Sequence, residues 1–382
     1  MAAAVLFPRY DHPAVEESYA SWQSEMLLRR GASEFYHYDF DEAARHAVRD
    51  IEAKHVLVVT DPLLIPSPRL AERLEEILPE GLFAAIPSSS QSANEKQRLT
   101  LPSYMTLREL EMETAALQKS GVPPERFRWD GSNPGAYLCR VADLAAIQTP
   151  LRDVLNGREV ILSRSDFIHR WPPLRGDSRA DLLERIAIDA KSILEFGCGE
   201  GSLGEALKKR QKCRVVGIEL DRDAAARARK KIDDVYCGDA LEIVGLIHEE
   251  FDWIVGGDFV EHLTEPWSFL SDLRRISKPA GRLLLSIPNI ANASIVADLL
   301  RGRFDYVYMG LTCVGHLRFF TRRSIEDMLA IAGWDVEKIE PQLLTVTSER
   351  DALIAQLESA GVPFSKDELL PTGYYVTARN RR

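Results

Sequence analysis

Two clusters of residue types in this chain could do chemistry. The first is Asp258-Phe-Val-Glu261-His262-Leu263, paired at a distance with His316 in Gly315-His-Leu-Arg-Phe-Phe-Thr321. An imidazole can take a proton from a hydroxyl as that oxygen attacks, so His262 and His316 are the candidate general bases, with Glu261 beside them. Two carboxylates and two imidazoles (Asp258, Glu261, His262, His316) could instead hold a divalent ion and lower a hydroxyl pKa. The second cluster is Ser192-Ile-Leu-Glu195-Phe-Gly197-Cys-Gly199-Glu-Gly201. An apolar run ending in an acid, followed by glycine at every second position, reads as a buried strand that turns tightly into a helix N-terminus. Glycine there lets a ligand lie against bare backbone and lets the turn use positive φ.

The glycines alone leave alternatives open. Gly199-Glu-Gly201-Ser-Leu-Gly204, with Glu219 twenty positions after Gly199, also spells a dinucleotide fingerprint. The elements that follow decide between them. Cys213–Asp221 is a second strand carrying Glu219, whose carboxylate could accept from both hydroxyls of a ribose. Val235–Ala240 is a third, ending in Asp239, which could meet an exocyclic amine or cap a helix before Ala240. Phe251–Gly257 is a fourth, with Asp258 and Phe259 after it. Lys278-Pro-Ala-Gly281 and Arg282–Asn289 complete the series.

This ordered series resembles class I S-adenosylmethionine-dependent methyltransferases over roughly residues 178–345, with a last strand near 373–379. A dehydrogenase predicts no such E-H-L, K-P-x-G, S-I-P-N order. The resemblance implies a Rossmann-like seven-stranded domain. It implies S-adenosyl-L-methionine held by Glu195, Gly197, Gly199, Gly201, Glu219, Asp239, Ala240, Asp258 and Phe259. Asn289, Tyr306 and Arg318 are then candidates to line an acceptor pocket. A divalent metal is an alternative and is not favoured.

Three regions are expected. Residues 1–150 form a smaller α/β accessory domain, 151–190 a linker and lead-in helix (Trp171–Gly176, then Arg179–Ile188), and 191–382 the methyltransferase-like domain. In the first region His55–Thr60 reads as a buried strand ending at Asp61. The order weakly resembles a GT-A glycosyltransferase, but Leu63 stands where the second acid of D-x-D is needed, so the expectation is either an inactive, degenerate domain of that kind or an unrelated α/β accessory domain. Pairing with such a region resembles methyltransferases of bacterial surface-polysaccharide pathways, which implies O-methylation of a sugar hydroxyl. The alternatives are a small phenol or quinol acceptor, or a non-catalytic scaffold that binds the cofactor.

Composition sets the remaining bounds. The 382 residues suffice for two cores, and 45% hydrophobic with 28% charged residues is ordinary for a globular chain. A net charge of −10 argues against nucleic acid as partner. The arginines 301, 303, 318, 322 and 323 form a local basic run that reads equally well as solvated surface. No apolar run reaches about 18 residues, so no membrane span is expected. Five scattered cysteines fit reduced thiols and a cytoplasmic location. The amphipathic stretch Ser348–Ala360 is expected to cover the site or to make a homodimer contact.

Overall fold

A computed structural model describes residues 3–9, 15–171, 178–343 and 346–381. It divides into two compact units, Met1–Pro172 with Asp305–Val314, and Pro173–Phe304 with Gly315–Arg382. The punctuation expected at Trp171–Gly176 lies almost wholly outside the described residues.

The first unit is built on an eight-stranded mixed sheet. Its strands are β1 (Ala4–Pro8), β2 (Phe35–Tyr38), β3 (His55–Val59), β4 (Leu64–Pro66), β5 (Ala84–Ser89), β6 (Glu125–Arg128), β7 (Ala136–Arg140) and β8 (Glu159–Arg170). The order is β2-β1-β3-β7-β5-β8-β4, with β6 also on β8. β2, β1 and β3 are mutually parallel, and β7 runs against both β3 and β5. The run His55-Val-Leu-Val-Val59 is buried throughout, as a strand covered on both faces must be. Alternate residues feed two cores, Val56 and Val58 on one side, Leu57 and Val59 on the other. β8 occupies twelve residues of the stretch expected to be a linker, and the division between units falls at Pro172 and Pro173. The alternation that would have marked β8 is hidden because it is buried on both faces for most of its length.

The second unit carries β9 (Ser192–Phe196), β10 (Arg214–Glu219), β11 (Asp234–Cys237), β12 (Phe251–Gly257), β13 (Ser277–Pro288), β14 (Trp334–Gln342) and β15 (Gly373–Asn380). They form one seven-stranded sheet in the order β11-β10-β9-β12-β13-β15-β14. All neighbours are parallel except β15, which is antiparallel to β13 and β14. The order reverses between β9 and β12, and ligands of open α/β sheets bind at the carboxyl ends beside such a reversal. The lead-in helix is one turn, Ala180–Leu183, shorter than the expected 179–188. The inserted helix is Ser348–Ser359, and Leu353 and Ile354 pack it on Ala293 and Ala297 of the helix Ala293–Leu299. Among the described residues no helix is long and apolar enough to cross a membrane, and all five cysteines are free thiols.

Candidate functional site

The turn after β9 has Gly197, Gly199 and Gly201 at φ 68°, 52° and 74°. Any other residue would be strained at these angles. At Gly197 a Cβ would also strike the Phe259 ring at 2.7 Å. The helix Ser202–Arg210 starts at Gly201, whose own position offers no side-chain cap; of its first-turn amides, that of Gly204 donates to Glu195. Glu219, at the end of β10, ties the turn down. One oxygen accepts from the Gly199 amide at 2.7 Å and the other from the Asp221 amide at 2.9 Å. These elements enclose a cavity of about 310 Å³ lined by Glu195, Gly197, Cys198, Gly199, Glu219, Gly257 and Arg179, among others.

Glu195 is buried, and its Oε2 has no hydrogen-bond partner among the described residues. Burial pushes its carboxyl up to about 8, against the attraction of Arg179 and a hydrogen bond from the Gly204 amide, and with added repulsion from Glu219. A buried orphan acceptor in a polar cleft asks for a donor. The residues therefore fit a cofactor that brings hydroxyls to Glu219, an ammonium group towards Glu195 and a thin body across the glycines.

Arg179 escaped the sequence reading. It sits at φ 47°, donates to Asp181 at 3.0 and 3.1 Å, to Asp258 at 3.0 Å and to the Ser286 hydroxyl at 2.9 Å. Burial opposes its charge, but Asp181 and Asp258 outweigh that and hold the guanidinium charged. It is the cation among the residues lining the cleft, and Asp181 and Asp258 both pair with it. No motif marks it, because its partners come from three separate segments.

Other expected cofactor residues fall differently. Asp239 caps the helix Ala240–Leu246 by accepting from the Leu241 amide at 2.9 Å, and Ala240 is core; neither lines the cavity. Phe259 packs edge-on against Phe196 at 4.8 Å and walls the glycine turn. Asp258, at φ 49°, is committed to Arg179 and to Ser286, whose hydroxyl donates to it at 2.9 Å.

Beyond β12 the short turn Val260–His262 brings Glu261 and His262 to His316. The His262 and His316 rings meet edge to face at 4.9 Å. His316 Nε2 lies 4.0 Å from Glu261 Oε1, too long for a hydrogen bond. His262 Nδ1 is 3.0 Å from the Gly315 carbonyl, and the Glu261 carbonyl accepts the amides of Leu317 and Arg318 at 2.8 and 3.0 Å. Glu261 is fully buried, neither carboxylate oxygen has a hydrogen-bond partner among the described residues, and burial first, then Asp258, holds its carboxyl well above the usual range. One ligand atom from each of Glu261, His262 and His316 lies within 4.8 Å of the others. The four-ligand set read from sequence is thus three. Asp258 does not join it, being held by Arg179 and Ser286.

The acceptor-lining candidates separate too. Asn289 is buried and spends its amide on the Glu368 and Pro371 carbonyls. Tyr306 belongs to the first unit. Arg318 donates to the Thr264 carbonyl. Most of the basic run is neutralised locally, Arg301 by Glu349, Arg322 by Glu326 and Arg323 by Asp327.

A seven-stranded sheet with this order and a glycine cradle at its reversal define a class I S-adenosylmethionine-dependent methyltransferase domain, and a family model described as a methyltransferase domain matches residues 168–339. Among curated proteins, one from Mycolicibacterium smegmatis, named a "probable S-adenosylmethionine-dependent methyltransferase", is 30% identical over 149 residues. That match covers 38% of this chain and 53% of the relative, so the chain spans about half of that relative's length. A ubiquinone biosynthesis O-methyltransferase from Aromatoleum aromaticum is 28% identical over 170 residues, 37% of this chain and 72% of the relative. A solved S-adenosylmethionine-dependent methyltransferase from Archaeoglobus fulgidus has a TM-score of 0.40 at 19% identity, covering 54% of this chain and 96% of its own.

Proposed function

We propose that the chain methylates a hydroxyl, and that the hydroxyl is on a sugar. The observation that carries O-methylation is the Glu261–His262–His316 cluster following β12, the strand whose Gly257 lines the cofactor cleft. S-adenosylmethionine, when bound, supplies a methyl group on a sulfonium. The glycine turn, Glu219 and Arg179 would hold it, and Phe259 would screen it from water. His262 or His316 would take the hydroxyl proton, at Nε2 in His262, since its Nδ1 is engaged with the Gly315 carbonyl.

The sugar reading is supported by the first unit, read as a degenerate GT-A-type domain. Its parallel β2-β1-β3 half ends at Asp61, the position a nucleotide-sugar metal would need. That carboxylate is instead paired to Arg170 at 2.7 Å and accepts the Leu63 amide at 3.0 Å, which fits a domain without transfer activity. The name of the Aromatoleum relative favours a quinol instead. Incubating the full chain with S-adenosylmethionine and matched panels of nucleotide sugars and hydroquinones, then scoring products for one added methyl by mass spectrometry, separates the two. Methylated quinol without methylated sugar refutes the sugar reading. Binding of S-adenosylhomocysteine with no methylated product from either panel supports a scaffold.

The orphaned oxygens of Glu261 favour a second reading of the same cluster, a divalent ion that the carboxylate and two imidazoles would hold. Calorimetry with manganese or zinc on the wild type and on Glu261→Gln tests it. Equal heats from both proteins remove the metal.

A further inference from the structure

The ten residues Asp305–Val314 belong to the first unit, while the chain on either side of them belongs to the second. They fold on themselves. The Val314 amide donates to the Val307 carbonyl at 2.9 Å, the Val307 amide to Thr312 at 3.1 Å and the Thr312 hydroxyl to the Asp305 carbonyl at 2.7 Å. Val307, Tyr308, Leu311 and Cys313 are all buried, which a surface loop does not do without a surface to receive it. Inside the first unit Val307 packs with Ile65, Leu107, Leu110 and Phe167. Trp171 meets the Tyr308 ring at 5.7 Å. The Tyr306 carbonyl accepts from Gln23 Nε2 at 3.0 Å and from the Tyr19 hydroxyl at 3.4 Å, and the Tyr308 hydroxyl reaches Glu17 at 3.4 Å.

One peptide bond beyond Val314 begins the turn that carries His316. That turn is tied within the second unit, Gly315 to His262, and Leu317 and Arg318 to the Glu261 carbonyl. We propose that the first unit serves as a socket. By seating 305–314 as a plug it fixes the start of the chain path that presents His316 to the acceptor. Gln23 and Tyr308 are then positioning residues, acting through the backbone rather than on substrate. This assigns the first unit a task that needs no sugar transfer, and it rests on the reading that His316 works at the acceptor.

Hydrogen exchange of the full chain, read by mass spectrometry, tests it. In the Gln23→Ala, Tyr308→Ala double variant, amides of 305–314 and those of Leu317 and Arg318 should exchange faster together, by about tenfold or more, with 193–205 unchanged. Tyr308→Phe keeps the ring against Trp171 and should exchange as wild type. Continued protection of 305–314 in the double variant would show that the socket does not hold the plug. Release of 305–314 with Leu317 and Arg318 still protected would show that the plug does not position the turn. If the double variant loses protection everywhere, Gln23→Ala alone carries the same comparison. Calorimetry with S-adenosylhomocysteine on the same wild-type sample stands apart, since absent binding would sink the methyltransferase reading and leave the exchange result intact.

Discussion

Glu195→Gln should flatten the pH dependence of stability of the second unit. In the folded chain burial raises this carboxyl from an ordinary 4.5 to about 8. Between those values the folded state binds a proton that the unfolded chain has released, so stability is full below the unfolded value and falls as pH rises towards the folded one. Linkage with these two values gives a loss of roughly 3.5 kcal/mol between pH 5 and pH 8. For a unit of this size that corresponds to about 7–14 °C in melting temperature. Gln has the same shape and cannot ionise, so the variant should lack this part of the decline and melt higher than wild type at pH 8. Scanning calorimetry of both proteins at pH 5 and pH 8, without cofactor, reads the difference. Parallel declines in the two proteins would refute the reasoning. They would mean that Arg179 and the Gly204 amide outweigh burial and that Glu195 is ionised in the empty cleft.

Three further outcomes are expected. Glu219→Ala removes the acceptor of the Gly199 and Asp221 amides as well as the ribose partner, and should weaken S-adenosylhomocysteine binding by about 1.5–3 kcal/mol in calorimetry; an unchanged affinity would show that the turn holds itself. Whichever of His262 and His316 is the base, its alanine variant should lose about 10²–10⁴-fold in kcat with cofactor affinity unchanged. EDTA-insensitive turnover would leave the base reading standing alone, and near-normal turnover in both variants would remove it. The full chain should transfer no sugar from any nucleotide sugar, and a glycosylated product detected by mass spectrometry would overturn the assignment of the first unit.

What was legible in the sequence was what depends on contiguous residues. The glycine turn, the acid closing β10 and the Glu261-His262 pair each lie within a few residues, and their spacing states the backbone requirement directly. The series of strands in the second unit followed, because most of them are apolar runs, whereas β8 of the first unit, interrupted by Ser163–Asp166, did not announce itself. Two positions carry local roles that spacing alone does not separate from a ligand's. Asp239 reads as a partner for adenine or as a helix cap, and one of its carboxylate oxygens does cap the helix by accepting from the Leu241 amide. Asp258 looked like a metal ligand by its spacing to Glu261, but its left-handed backbone accompanies a side chain held by Arg179 and Ser286.

Arg179 and the segment 305–314 were illegible for a different reason. Each owes its role to partners distant in sequence: Asp258 and Ser286 for the arginine, Gln23 and Trp171 for the segment. No periodicity or spacing encodes such a meeting. The same distinction separates the two parts of the candidate site. The cofactor side is a backbone device, so its residues can be read from one stretch and its geometry tolerates little change at Gly197. The acceptor side is assembled from the turn after β12 and from a stretch more than fifty residues later, with a buried, orphaned carboxyl at its centre. A buried acid with no hydrogen bond costs stability, and a fold that only needed a filled space there could have used an apolar side chain. Its position beside two imidazoles is the physical support for the proposed proton transfer at this cluster.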